Sequence, residues 1–179
     1  MKVGILSDTH SIKECIDETI PYLKKCDLII HAGDNFADSK YIHSMTKIGI
    51  MAVKGNCDFD NVEDELLFDI EDKLIFLCHG DKYDVKYGLD KIETKAKSVG
   101  ADIVIFGHSH TPLNLKKDNI LYLNPGSASL PRGVEYKSFY IMNLENNNIK
   151  IEQIRLYKLL NYLCLWNSPN TCKWKNLLL

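Results

Sequence analysis

An α/β fold, alternating at first and mostly β later, is what this sequence predicts, and three observations carry the prediction. Short apolar, β-rich runs at 1–7, 28–31 and 50–54 are separated by stretches of helical periodicity. Further runs follow at 66–71, 73–78 and 101–106, the last being the most apolar and therefore central. Two longer ribbons, 114–123 and 138–154, then extend the β pattern. Runs alternating with helices form β-α-β units, whose right-handed crossovers make the first strands parallel. The later runs add antiparallel pairs, a pattern compatible with two packed sheets and helices outside.

Ile12, Ile16, Ile20 and Leu23 recur at helical spacing, so 11–25 is predicted to be an amphipathic helix covering a sheet. Ser11-Ile12-Lys13-Glu14 has the spacing of a capping box, which would satisfy amides at the helix start. Asp38 is predicted to cap a second helix reaching Lys47. The acidic stretch 61–65 reads as a loop, and the strands on either side of Asp72 as a tight hairpin. Leu89, Ile92, Ala96 and Val99 form another helical stripe, closed by Gly100 in the usual position after a helix. Asn146-Asn147-Asn148 supplies the turn of a last hairpin.

From Leu156 the character changes, so the expected division is a domain over 1–155 and a C-terminal extension over 156–179. Leu156, Leu159, Leu160 and Leu163 could line one face of a helix there. Such a segment would dock on its own domain or form an oligomer or partner contact; disorder after Pro169 is the third reading.

The chain has 179 residues, enough for one domain with a substantial core. Lys and Arg total 22 against 24 Asp and Glu, so no general field for polyanions exists and long nucleic acid is not expected as a partner. No run approaches a membrane span, and no secretory signal opens the sequence. Six cysteines without such a signal argue for reduced thiols and a cytoplasmic location. Cys15, Cys26 and Cys78 read as small core hydrophobes.

The chemistry is concentrated where the apolar runs stop. Ile103 to Gly107 leads into His108-Ser109-His110, and two imidazoles one residue apart can serve neighbouring metals. Alone, such a pair reads more simply as surface histidines. Four other runs end in the same style, however. They deliver Asp8-Thr9-His10, Gly33-Asp34-Asn35, Gly55-Asn56-Cys57-Asp58 and His79-Gly80-Asp81. Ligands collect beyond the carboxyl ends of strands in open α/β sheets. Carboxylates, an amide oxygen and imidazoles together suit a divalent first-row ion, Mn foremost, with Ni, Co, Fe or Zn as alternatives.

The ordered elements D-x-H, G-D, G-N-x-D, H-G and G-H-S-H resemble the calcineurin-like metallophosphoesterase superfamily. Cys57 and the turn Asn124-Pro125-Gly126-Ser127 make the chain most similar to its small single-domain phosphodiesterase branch, whose fold is shared with the scaffold protein Vps29. The resemblance spans Met1 to about Arg155 and implies a four-layer α/β/β/α sandwich of two mixed sheets. It implies two divalent ions per chain, with Asp34 bridging. Asp8, His10 and His110 would complete one site, and Asn56, His79 and His108 the other. It further implies hydrolysis of a small phosphate ester, most simply a diester, by in-line attack of a metal-bridging hydroxide.

Cys57 departs from the histidine that many superfamily members place after the Asn. Asn56 and Cys57 are therefore the residues expected beside the reacting group, with a thiol that is a poor proton donor. Asp58 could orient this loop, but reads more simply as the cap of the next turn. His31 and His43 match no motif; His31 could support Asp34. Two alternatives stand beside the diesterase: a phosphomonoesterase or pyrophosphatase, and a Vps29-like scaffold with weak or no catalysis. A homo-oligomer is also compatible.

Overall fold

The structure, a computed structural model, describes residues 1–145 and 148–156. Its elements run β1 (Lys2–Leu6), α1 (Lys13–Leu23), β2 (Leu28–His31), α2 (Phe36–Thr46), β3 (Ile50–Ala52), β4 (Glu65–Ile70) and β5 (Lys73–Cys78). There follow α3 (Asp90–Val99), β6 (Ile103–Ile105), β7 (Leu113–Lys117), β8 (Ile120–Asn124), β9 (Lys137–Glu145) and β10 (Asn148–Leu156). One five-stranded sheet has the order β10-β9-β1-β2-β3, the other β4-β5-β6-β8-β7. Parallel pairing joins β1, β2 and β3, and also β5, β6 and β8; three hairpins and the long-range pair of β1 with β9 are antiparallel. Both sheets are therefore mixed, and β6 is central as its apolar sequence requires.

Three apolar clusters define the layers. Ile5, Ile30, Ile75, Leu77, Ile105 and Met142 belong to the cluster between the sheets. Ile16, Ile20 and Leu23 of α1 and Ile42 of α2 pack on the outer face of the first sheet. Ile92 and Ala96 of α3 cover the outer face of the second. The four-layer sandwich follows directly. Burying one such aliphatic side chain is worth about 1.5–3 kcal/mol, so these faces dominate the fold's stability.

Several local readings need correction. The capping box does not form: α1 starts without a side-chain cap, and Ser11 lies in a left-handed turn at φ +59°. Its hydroxyl accepts from Asn35 Nδ2, and its amide donates to Asp38 Oδ2 at 2.9 Å. Asp38 is inside the first turn of α2 and caps nothing there; it accepts the Thr9 hydroxyl at 2.6 Å. Leu156 is the buried last residue of β10, paired in register with Lys137, and so belongs to the sheet and to no helix. Asn146 and Asn147 of the proposed turn, and Leu159, Leu160 and Leu163 of the extension, lie outside the described residues. Gly100 closes α3 at φ +72°, as its position after the helical stripe predicts.

Candidate metal centre

Each parallel strand spends its apolar residues in the core and releases its first polar residues at its carboxyl end. From the first sheet these are Asp8 and His10 after β1, Asp34 after β2, and Asn56 after β3. The second sheet adds His79 after β5, and His108 and His110 after β6. Because the sheets are stacked, the two sets converge. The His108 amide donates to Asp8 Oδ2 at 3.1 Å, and His79 Nδ1 meets the Ala32 carbonyl at 2.8 Å. Both bonds run from one sheet's ligand turns to the other's.

Sharp turns at the strand ends make this convergence possible. Asp8, His10, Asp34, His108 and His110 all have positive φ, between +47° and +64°. That left-handed backbone costs an L-residue about 1–2 kcal/mol, and its concentration here is characteristic of strain held at functional sites. Glycine makes room where backbones touch. A Cβ on Gly107 would overlap the Ser7 hydroxyl, and one on Gly55 would overlap the Asp34 carboxylate.

Two groups of possible ligand atoms result. Asp8, His10, Asp34 and His110 form one; Asp34, His79 and His108 form the other. Within each group the atoms lie within 4.8 Å of one another, and Asp34 belongs to both. Among the described residues these two groups are the clusters of such atoms. Six of the seven expected ligands are thus brought together. Asn56 is exposed, and its Nδ2 donates to Cys57 Sγ at 3.4 Å. Cys57 is exposed too, but its amide donates to Asp34 Oδ1 at 3.0 Å, which keeps this loop against the centre.

The hydrogen-bond chemistry of the centre calls for cations. Backbone carbonyls only accept, so the bonds of His79 to Ala32 and of His110 to Leu130 (2.5 Å) fix a proton on each Nδ1. The two Nε2 atoms then present lone pairs. His110 Nε2 faces His10 Nε2 at 3.2 Å and Asp8 Oδ1 at 3.1 Å. Asp8 Oδ1 is buried without a hydrogen-bond partner. His79 Nε2 faces His108 Nδ1 at 3.2 Å and Asp34 Oδ1 at 3.3 Å. The lone pairs of His79 and His110 packed against carboxylate oxygens need a proton or a metal ion between them, and the O/N donor set fits divalent first-row ions.

The acid–base properties point the same way. Burial opposes charge on His79, yet its hydrogen bond to Asp34 and the fields of Asp8 and Asp34 raise its pKa above the usual histidine value. Burial would raise Asp34, but the His79 hydrogen bond and charge, aided by Cys57, hold its carboxyl well below the ordinary range. Asp8 is also lowered: burial works against this, and the neighbouring imidazoles of His110 and His79 outweigh it. Burial and the nearby carboxylates of Asp34 and Asp58 push the Cys57 thiol up.

A supporting layer holds the ligand turns. Asp58 is an orienting residue, contrary to its simpler reading as a turn cap. Its carboxylate accepts from the amides of Gly55 (2.7 Å), Phe36 (2.7 Å) and Asn35 (3.1 Å), tying the Asn56-Cys57 loop to the start of α2. His31 is buried and neutral in character, its pKa lowered by burial, with Nε2 3.0 Å from the Thr9 hydroxyl. Thr9 in turn binds Asp38, so this chain of bonds braces the turn between Asp8 and His10. Ser127 and Ser129 both donate to the Asp8 carbonyl, at 2.7 and 2.8 Å. Asn124 Nδ2 donates to the Gly107 carbonyl at 2.7 Å. The motif Asn124-Pro125-Gly126-Ser127 signalled part of this layer; the Leu130 carbonyl had no sequence signal. His43 is exposed and bonded to the Ile48 carbonyl, away from the centre.

Cys15, Cys26 and Cys78 are buried as free thiols. Among the described residues, no helix is long and apolar enough to cross a membrane.

Comparison with known proteins identifies the lineage of this arrangement. The probable metallophosphoesterase YsnB of Bacillus subtilis is 35% identical over 150 residues, covering 82% of this chain and 86% of that protein. An archaeal phosphodiesterase of known structure superimposes with a TM-score of 0.72 at 25% identity, over 87% of this chain and all of that one (100%). Vps29 of Entamoeba histolytica matches with a TM-score of 0.70 over 87% of this chain and 99% of its own, but at 19% identity it speaks to the fold alone. Residues 1–147 match the calcineurin-like phosphoesterase superfamily domain, and the chain belongs to that metal-dependent family.

Proposed function

We propose that the chain hydrolyses small phosphodiesters with two divalent ions held around Asp34. The observation that carries this reading is the membership of Asp34 in both ligand groups. Asp8, His10, Asp34 and His110 would hold one ion. Asp34, Asn56, His79 and His108 would hold the other, Asn56 through its amide oxygen. Bound there, two such ions supply a water nucleophile at neutral pH and neutralise charge on the phosphoryl group.

The chain's own contribution is preorganisation. Ala32 and Leu130 aim the Nε2 atoms of His79 and His110, and the serines behind Asp8 hold its turn. Asp58 keeps Cys57 beside Asp34. With its pKa raised, Cys57 stays a thiol at neutral pH and donates a proton poorly to a leaving alkoxide. That weakness favours esters whose alcohol leaves with little help. The diesterase name of the archaeal relative supports the same choice.

The test is hydrolysis across diesters, monoesters and cyclic nucleotides, each with Mn, Ni, Co, Zn and Mg. Diesters should be cleaved best, with Mn among the effective ions. Turnover confined to monoesters would overturn the substrate assignment. No turnover by protein carrying two ions would overturn the enzymatic one.

A further inference from the structure

A cavity of about 640 Å³ is lined by the start of α1, the loop after β8 and the adjoining ends of β9 and β10. That volume is in the range of roughly 300–1,000 Å³ usual for small-molecule sites. No candidate metal ligand is among its lining residues, yet its wall and the metal centre share one segment. Ser129 lines the cavity and donates through Oγ to the Asp8 carbonyl at 2.8 Å. Leu130 lines it too, and its carbonyl accepts from His110 Nδ1 at 2.5 Å. The amide of Arg132, another lining residue, donates to the His110 carbonyl at 3.2 Å. The same short loop thus walls the cavity and holds two ligand turns.

The lining is chemically mixed. Ile12, Leu130, Pro131, Val134 and Leu156 give it apolar walls. Lys137 is 9% exposed, an uncommon depth for an ammonium. Its Nζ donates to both Glu18 oxygens at 3.0 and 3.1 Å, and otherwise meets only Cys15 Sγ at 3.5 Å, inside the lining. Sulfur is a weak acceptor, so a ligand oxygen would be the better partner there. Arg132 and Glu135 are exposed, and neither side chain has a partner among the described residues.

We propose that this cavity is an effector site for a small monocarboxylate with an apolar body, coupled to the metal centre through residues 129–132. The apolar walls take the body. Arg132 offers a planar fork of unpaired donors, the geometry a carboxylate matches, and Lys137 supplies a second cation. Glu135 in the same lining opposes a second negative charge. A ligand seated against Ser129 and Leu130 would hold their turn in the position that bonds Asp8 and His110. Occupancy should therefore strengthen metal binding, and metal should strengthen occupancy by the same factor. This coupling rests on the metal-centre reading; the binding site itself does not.

The test measures octanoate, octanol and octylamine binding by calorimetry on the chelator-treated full chain, on R132A and on V134W. Alkylation of Cys15, followed by peptide mass spectrometry, reports from inside the cavity. Octanoate should bind about 10-fold more tightly than either analogue, as a charge-assisted bond to Arg132 requires. R132A should lose that preference, V134W should weaken all binding by filling the cavity, and octanoate should slow Cys15 alkylation. Mn should then tighten octanoate binding by about 5-fold, and octanoate should tighten Mn binding equally. Octanol or octylamine binding as tightly as octanoate overturns the carboxylate site, as does unchanged alkylation of Cys15 at saturation. Octanoate binding that appears only after removal of 157–179 overturns it too, and would make the chain's own extension the occupant. Octanoate binding that leaves the Mn affinity unchanged overturns the coupling. If octanoate binds and Mn does not bind at all, the metal reading fails while the site stands.

Discussion

His10 and His110 face each other through their Nε2 atoms at 3.2 Å, and the proton of His110 is already committed to the Leu130 carbonyl. The His110 lone pair meets His10 Nε2 beside Asp8 Oδ1, which lacks a donor. Divalent ions should therefore stabilise the fold strongly. At 100 times its Kd, one ion adds about 2.7 kcal/mol, or about 5–10 °C in Tm for a chain of this size. Thermal melts with Mn and after chelation check this; identical midpoints would remove the metal centre from the interpretation.

Protons should compete with that loading. His79 has a raised pKa, so below that value its Nε2 carries a proton and offers no lone pair. Affinity should accordingly weaken as pH falls through the region above 6.5 and strengthen as pH rises through it, with proton release on binding. Calorimetry in buffers of different ionisation enthalpy reads both. A pH-independent Kd between 6 and 8 would mean that His79 is not a ligand.

Asp34→Asn should lower turnover by at least about 1000-fold, and Asn56→Ala by about 10- to 100-fold. Asp34 contributes to both ligand groups, whereas Asn56 would serve one. Metal content measured on each variant separates lost ions from lost chemistry. An Asp34→Asn protein that keeps its ions and most of its turnover would show that the shared carboxylate is misassigned.

Cys57→His should raise activity on esters with poor leaving groups by about 10-fold or more, within the range for a positioned general acid. The raised thiol pKa is what the substitution relieves. Rates on alkyl monoesters and diesters provide the measurement. A folded, metal-loaded variant with no gain would show that proton donation at this position does not limit the reaction.

Asp58→Ala should destabilise the chain by about 1–3 kcal/mol, since the amides of Gly55, Asn35 and Phe36 lose their acceptor. Turnover should fall as well, because the Cys57 loop then loses its anchor. Urea melts with parallel assays would show the two effects together; unchanged kcat at reduced stability would confine Asp58 to folding.

Removal of 157–179 should leave kcat unchanged and act, if anywhere, on stability or assembly. The cut belongs after Leu156, because that residue is buried in the register of β10 with Lys137. A metal-loaded truncation that loses most of its kcat would place the extension in the active site.

Local periodicity determined more of this molecule than any single motif did. The stripe Ile16, Ile20, Leu23 and the run 103–105 appear as helix and central strand because each depends only on the repeat of its own backbone. The convergence of the candidate ligands was legible for a related reason: apolar strands end where polar chemistry begins, and five of them end alike. Tertiary structure alone decided how those ends are held. Ser11 and Glu14 had capping-box spacing, yet Ser11 was drawn to Asn35 and Asp38. Asp38 and Asp58 exchanged the roles their neighbours suggested, one bracing Thr9 and the other closing the start of α2. The carbonyls of Ala32 and Leu130, which aim two imidazoles, carry no side-chain signature at all. A polar group takes whichever partner the packed sheets bring within about 3 Å, and that partner is set by strands far away in the chain.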